Sequence, residues 1–161
     1  MRPVLLVAVG CLALLSGLLV YLAGRAASHA LLIPDLPMLR GRYWFGALGQ
    51  WLPSAVHAFA FSLFSAAVLK PGVAARWAAC TSWAAVNVAF ELGQHPDLKP
   101  RWTAALQGDM GDWVVTRSAL NYFVRGTFDP YDMGAAILGA LAAGAFLHFV
   151  DHFLKAHHAP H

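Results

Sequence analysis

PVLLVAVGCLALLSGLLVYL, residues 3–22, contains no charged side chain. As an α-helix this segment would be about 30 Å long, which matches the hydrocarbon core of a bilayer. A cleaved signal peptide is the alternative, because Arg2 precedes the run and small residues such as Ala26 and Ala30 follow it. The run is longer than the roughly 7–15 residues of a signal-peptide core. We therefore expect a first membrane span.

The composition of the whole chain is typical of a membrane protein. Of its 161 residues, 59% are hydrophobic and 12% are charged, and the mean hydropathy is positive. The eleven Lys and Arg residues are scattered, without the basic run or basic helix face that favours nucleic acid. Cys11 and Cys80 lie in separate apolar runs, and the chain has no glycine-rich phosphate loop or serine-nucleophile motif. We expect no nucleic-acid partner and no cofactor.

Three further apolar segments predict three more membrane helices. They lie at about residues 53–69, 77–93 and 132–154. Pro53 suits the first turn of its helix. Residues 1–161 then form a single membrane domain of the all-α class, a polytopic bundle with four transmembrane helices. Two long loops, 25–52 and 95–131, would lie on the same face of the bundle.

The fourth predicted helix is rich in small residues that repeat at four-residue spacing. Small side chains at this spacing allow two membrane helices to approach closely. We therefore expect this helix to lie at the centre of the bundle. Its packing residues would be Gly134, Gly139, Ala140, Ala143 and Gly144.

The distribution of cations leaves the membrane orientation open. Seven of the eleven Lys and Arg residues lie on the loop face, which by the positive-inside rule would make that face cytoplasmic. The short turn at 70–76 nevertheless holds two cations, and Arg2 heads the first helix. Since the first helix often determines orientation, we expect the termini inside and the loops outside.

A group of polar residues interrupts the apolar pattern at the loop face. In AVNVAFELGQHP, residues 85–96, an amide, a carboxylate and a histidine follow one another at helical spacing and would share a face. An ionisable group costs about 2.5–3.5 kcal/mol at the bilayer centre, so it normally faces a partner, a cavity or water. At about 1.5 Å per residue, polar groups on three helices reach one membrane level. This candidate site consists of His57, Asn87, Glu91, Gln94, His95, Asp129 and Asp132.

Two alternatives compete with this site. The polar groups could instead cap helices, pair with loop arginines and hold the bundle together without any ligand. Near the carboxyl end, His148 and His152 stand four residues apart with Asp151 between them, a spacing that can hold a metal ion. That motif has no fixed ligand pattern, so we expect no metal site and keep it only as an alternative.

Three segments resemble the VanZ-like family of small integral membrane proteins. They are PSAVHAFAF at 53–61, FELGQ at 90–94, and GTFDPYD at 126–132, which leads into a small-residue stripe. The resemblance implies a multi-pass protein of the cell membrane, the inner or cytoplasmic membrane of a bacterium. It also implies a role in the cell envelope like the resistance to teicoplanin-type glycopeptides after which the family is named.

These observations lead to three functional hypotheses. The first is a non-catalytic protein that binds or excludes an amphiphilic envelope compound or membrane lipid, with Glu91, His57 and Asp132 as its polar site. The second is a membrane-embedded enzyme acting on a lipid headgroup, with Glu91 or His57 as general base and Asp129 or Asp132 as its partner. The third is an accessory subunit that docks on a membrane protein partner through the small-residue stripe.

Overall fold

The computed structural model describes residues 2–24, 46, 48–107 and 123–157. All regular secondary structure in these residues is helical, which confirms the all-α class. The helices are α1 (Arg2–Gly24), α2 (Leu48–Val68), α3 (Val73–Gly93), α4 (Lys99–Gln107) and α5 (Pro130–His157).

Three helices are long and apolar enough to cross a membrane, which indicates a membrane protein. Among the described residues they are the segments Arg2–Val20, Gly49–Val68 and Pro130–Leu154. The sequence predicts four spans, and the third of these, α3, does not reach the same apolar character. Its 21 residues include Arg76, Asn87 and Glu91, which lower its hydropathy.

Helix boundaries differ from the predicted ones mainly at the amino ends. Helix α2 begins at Leu48, five residues before the predicted start, so Pro53 lies inside the helix. The last five residues of the loop predicted at 25–52 therefore belong to α2, and most of the rest of that loop lies outside the described residues. The ring of Pro53 is accommodated one turn beyond the helix start, although proline removes a backbone donor there. Helix α3 begins at Val73, four residues early.

The segment predicted as a second long loop, 95–131, is partly helical. Helix α4 occupies Lys99–Gln107, and residues 123–125 are also helical. Helix α5 extends beyond the predicted 132–154 in both directions.

Helix α2 has the most helix neighbours, and α5, the helix predicted to be central, is the more buried of the two. Helix α2 packs against α1, α3 and α5, whereas α5 packs chiefly against α2 and α3. The small side chains of Ala58, Ala60 and Ala66 are buried along α2, together with Leu63. Small side chains along α2 allow its three neighbouring helices to approach it closely.

Helices α2 and α5 approach each other closely at Gly139. A Cβ atom added to Gly139 would overlap the backbone carbonyl of Ala55. A second glycine contact joins α1 to α2, where a Cβ on Gly10 would overlap the ring of Phe64. Both glycines therefore sit where a larger side chain would push two helices apart.

The two ends of the bundle are distinct. The loop end contains the start of α2, the end of α3 and the start of α5. The turn end contains Arg2 and the short turn at 69–72 between α2 and α3. Between them, Trp83 Nε1 on α3 donates a hydrogen bond to Ser65 Oγ on α2, 2.8 Å away, and the Trp83 ring stacks on Phe61 at 4.7 Å.

Candidate functional site

Helix α5 begins with a capped turn at the loop end. The backbone N–H of Tyr131 donates to Asp129 Oδ1 at 2.9 Å, and that of Asp132 donates to the Asp129 carbonyl at 3.1 Å. Pro130 occupies the first helical position, where its missing N–H has no partner to lose. The carboxylate of Asp129 is therefore the N-cap of α5.

Glu91 connects the last turn of α3 to the start of α5. It is 8% exposed, and its Oε2 accepts the backbone N–H of Asp129 at 3.4 Å. A carboxylate beside the amino end of a helix is stabilised by the helix dipole. The backbone at the start of α5 thus supplies a hydrogen-bond donor to the buried Glu91 side chain.

Asp132 connects α5 to α2 at nearly the same level. Ser54 Oγ donates a hydrogen bond to Asp132 Oδ1 at 2.9 Å. One turn closer to the helix ends, the rings of Trp51 and Tyr131 stack with centroids 5.5 Å apart. We call Ser54, Glu91, Asp129 and Asp132 the carboxylate cluster, because together they join the ends of three helices.

The other polar residues predicted to share a face with Glu91 have different partners from it. Asn87 Nδ2 donates to the Trp83 carbonyl of its own helix at 2.8 Å. Gln94 is the C-cap of α3, and its backbone N–H donates to the Glu91 carbonyl at 2.9 Å. Because α3 ends at Gly93, Gln94 and the residues after it leave the helical spacing that the sequence suggested, so no single polar face forms.

His95 lies outside the carboxylate cluster, in residues 94–98 between α3 and α4, which we call the covering segment. Its Nδ1 accepts the backbone N–H of Asp97 at 3.3 Å, and its ring packs edge-on against Phe128 with centroids 4.8 Å apart. Nearby, Lys99 Nζ donates to the Gly126 carbonyl at 3.1 Å. These contacts hold the chain before α5 across the end of α3.

Phe123 seals the same end of α3. Its ring stacks on Phe90 at 5.5 Å, and a Cβ on Gly93 would overlap it. Phe123 and Glu91 are both buried. The end of α3 therefore packs an aromatic ring and a carboxyl side chain close together in the protein interior.

His57 lies on a different side of α2. It follows Ser54 by three residues, which turns its side chain about 60° around the helix and toward α1. The exposed His57 ring stacks on Phe61 at 5.9 Å. It lines a cavity of about 570 Å³ between α1 and α2, which we call the α1–α2 groove. The other lining residues are Leu14, Leu15, Gly17, Leu18, Pro53 and Val56.

The structure therefore brings together only part of the predicted site. Glu91, Asp129 and Asp132 meet at the loop end, whereas His57 occupies the α1–α2 groove. The common level predicted for His57, Glu91 and Asp132 did not indicate which neighbouring helix each side chain faces. Ser54 was not among the predicted residues, although its place three residues before His57 and near Pro53 marked the same helix end.

The alternative metal motif has other partners. Arg2 Nε lies 2.8 Å from Asp151 Oδ1, and Arg76 Nη1 lies 3.2 Å from His148 Nδ1. The rings of His148 and His152 are 6.4 Å apart. Within the described ranges, no three His, Cys, Asp or Glu side chains form a group that could hold a metal ion.

Replacing Asp129 with alanine is expected to destabilise the start of α5. The substitution removes the N-cap acceptor of the Tyr131 N–H, a loss of about 1 kcal/mol. Thermal unfolding of the purified protein in detergent, followed by far-UV circular dichroism, measures the effect. Asp97→Ala is the matched control because its side chain is 88% exposed. Equal unfolding midpoints for the two variants would contradict the capping role.

Comparisons with known proteins return no match to a family model, to a characterised protein or to a solved structure. The resemblance to the VanZ-like family accordingly stays a prediction that rests on the three quoted segments. What the fold supports directly is a helical protein with three helices suited to a membrane.

Proposed function

We propose that the protein is a multi-pass membrane protein with four spans that binds an amphiphilic compound of the cell envelope without transforming it. The observation that carries this proposal is the exposed imidazole of His57 in the otherwise apolar α1–α2 groove. An apolar cavity with one polar group suits a molecule that has an acyl chain and a polar part. The VanZ-like resemblance points to the same class of ligand.

The position of α3 favours a fourth span. Its 21 residues give a helix about 31 Å long, enough for a bilayer core. It runs antiparallel beside α5, from the Arg76 and His148 contact at the turn end to the Glu91 and Asp129 contact at the loop end. A helix that follows a membrane-spanning neighbour along this length crosses the same thickness.

The carboxylate cluster favours a structural role over catalysis. Asp129 caps α5, Asp132 accepts the Ser54 hydroxyl, and Glu91 accepts the Asp129 N–H. A general base must lie within hydrogen-bonding distance of the substrate proton that it removes. The α1–α2 groove is lined by other residues, so we propose no reaction at the cluster.

The amphiphile-binding function is tested by susceptibility to a lipoglycopeptide. A Gram-positive host would express the full chain, and growth inhibition would be measured with teicoplanin and with a glycopeptide that lacks an acyl chain. We expect the wild-type chain to raise the inhibitory concentration of teicoplanin selectively, because only teicoplanin has a chain for the groove. His57→Phe keeps the ring that packs on Phe61 but removes its polar nitrogens, so it should lose most of the protection.

His95→Phe is the matched control, since that histidine lies in the covering segment and outside the groove. Membrane levels of the variants would be matched by immunoblot. Absence of protection by the wild-type chain would overturn the glycopeptide role. Equal protection by wild type and His57→Phe would remove His57 from the binding site.

A further inference from the structure

A cavity with several charged side chains in its wall lies at the turn end, opposite the carboxylate cluster. Its volume is about 500 Å³, and its wall combines two arginines, two histidines and one aspartate with the turn between α2 and α3. We call it the turn-end pocket. Its lining residues are Arg2, Pro71, Gly72, Val73, Arg76, His148, Asp151, His152 and Leu154.

The charge of the turn-end pocket is positive. Asp151 is compensated by Arg2, whose guanidinium also donates to the Ala66 carbonyl at 3.0 Å. Arg76 has no carboxylate partner among the described residues, and its hydrogen-bond partner is His148 Nδ1. A guanidinium can only donate, so His148 Nδ1 is the acceptor and the pocket keeps one uncompensated cation.

Helix α3 adds to this positive potential. Its N-cap is Gly72, which has no side chain to accept the first N–H groups of the helix. Both Gly72 and Val73 line the pocket, so the amino end of α3 opens into it. Helix amino ends favour anions through their N–H groups and dipole. Arg76 and the amino end of α3 therefore act on the same volume.

An apolar groove continues from the turn-end pocket along α1 and α5. The two cavities share Arg2 and Leu154, and the groove has a volume of about 550 Å³. We call it the α1–α5 groove. Beyond the shared residues it is lined by Leu5, Val9, Phe146, Phe149, Val150 and Phe153. Positive charge at its mouth and an apolar wall along the membrane helices match the two parts of one amphiphile.

We propose that the turn-end pocket binds the phosphate of an anionic phospholipid, whose acyl chain lies in the α1–α5 groove. Arg76 and the amino end of α3 bind the phosphate, and Arg2 holds the junction between the pocket and the groove. Basic pockets between membrane helices are suited to such headgroups. This site is separate from the α1–α2 groove and does not depend on the proposed function, since it lies at the other end of the bundle.

Binding of three probes to the purified full chain in neutral detergent tests the proposal. Dioctanoyl phosphatidic acid presents both phosphate and chain, dioctanoyl phosphatidylcholine presents the same chains with a zwitterionic headgroup, and inorganic phosphate presents the anion alone. We expect phosphatidic acid to bind at one site at least about tenfold more tightly than either of the others, by isothermal titration calorimetry. Equal affinity for phosphatidylcholine would overturn the proposal. Equal affinity for inorganic phosphate would identify a site for free anions instead of lipid.

Variants separate the pocket from general charge effects. Arg76→Gln should weaken phosphatidic acid about tenfold or more, because it removes the uncompensated guanidinium. Lys70→Gln is the matched control, since it removes one positive charge from the same end of the bundle at a residue that does not line the pocket. Equal losses in the two variants would show nonspecific attraction and contradict the proposal.

Leu5→Trp provides a second, uncharged variant. Leu5 is 44% exposed and lines the α1–α5 groove, which a tryptophan would fill. We expect it to weaken phosphatidic acid more than inorganic phosphate, because only the lipid needs the groove. Unchanged affinity for phosphatidic acid would place the chain elsewhere and overturn this part of the proposal. Because Leu5 faces outward from the core, this variant keeps the test available should Arg76→Gln fail to fold.

Discussion

Gly139→Ala is expected to destabilise the bundle more than any other single methyl addition along α5. The new Cβ would overlap the carbonyl of Ala55, which is backbone and cannot rotate away. Helices α2 and α5 must then separate, at a cost of about 3 kcal/mol. Because α2 also packs on α1 and α3, the separation would loosen the whole bundle. The midpoint of thermal unfolding in detergent measures the loss.

Gly134→Ala is the matched control on the same helix. A Cβ on Gly134 meets no atom within 4 Å, so this substitution should be neutral or stabilising by up to about 1 kcal/mol through helix propensity. Similar unfolding midpoints for Gly134→Ala and Gly139→Ala would show that α2 and α5 do not cross at Ala55.

Asp151→Asn is expected to produce the second largest loss of stability. The substitution leaves the Arg2 guanidinium without its carboxylate at a site where the two side chains are 11% and 16% exposed. Breaking a fully buried pair costs about 3–5 kcal/mol, and an exposed pair contributes about 0–1 kcal/mol. For this partly screened pair we expect about 2 kcal/mol. The same unfolding assay measures the change.

A double-mutant cycle with Arg2→Gln isolates the pair itself. If the interaction carries the effect, the double variant should be less destabilised than the sum of the two single variants. Asp97→Asn is the control for loss of one negative charge, because Asp97 is 88% exposed. Additive losses in the cycle would contradict a direct contact between Arg2 and Asp151.

The sequence predicts the helices well because their apolar runs exceed the length of ordinary soluble helices. Residues 3–22 correspond closely to α1, and the predicted end of the third helix at Gly93 is the end of α3. The amino ends are less predictable. Pro53 suggested a first turn, but residues 48–52 extend the helix before it. Proline marks only a region in which a helix start is favourable.

Residue counting predicts a common level along the helices for the candidate site, but not which neighbouring helix each side chain faces. Counting residues from a helix end places Glu91, Asp132 and His57 at one level, because the rise per residue is constant. Which neighbour each side chain faces depends on helix packing, and the packing of α2 against three helices could not be derived from composition. The stripe on α5 indicated one inner helix, with Ala140 and Ala143 buried, but it did not indicate that small residues are also buried along α2.

The turn-end pocket illustrates the same difficulty. Arg2 and Asp151 lie 149 positions apart in the sequence, and only the folded bundle brings their side chains together. The sequence marked the histidines of α5 as possible metal ligands, whereas the structure places arginines beside them. Charged residues near the ends of helices that are distant in sequence would have predicted this pocket.

The most direct test of the proposed four-span bundle is cysteine labelling on both sides of α3. In a background of Cys11→Ala and Cys80→Ala, Lys70→Cys and Asp97→Cys place single thiols before and after this helix. Intact cells and inverted membrane vesicles would be treated with a membrane-impermeant maleimide. A spanning α3 predicts that each thiol reacts in only one preparation, and that the two thiols react in opposite ones. Reaction of both thiols from the same side would contradict the fourth span and the arrangement of sites at two membrane surfaces.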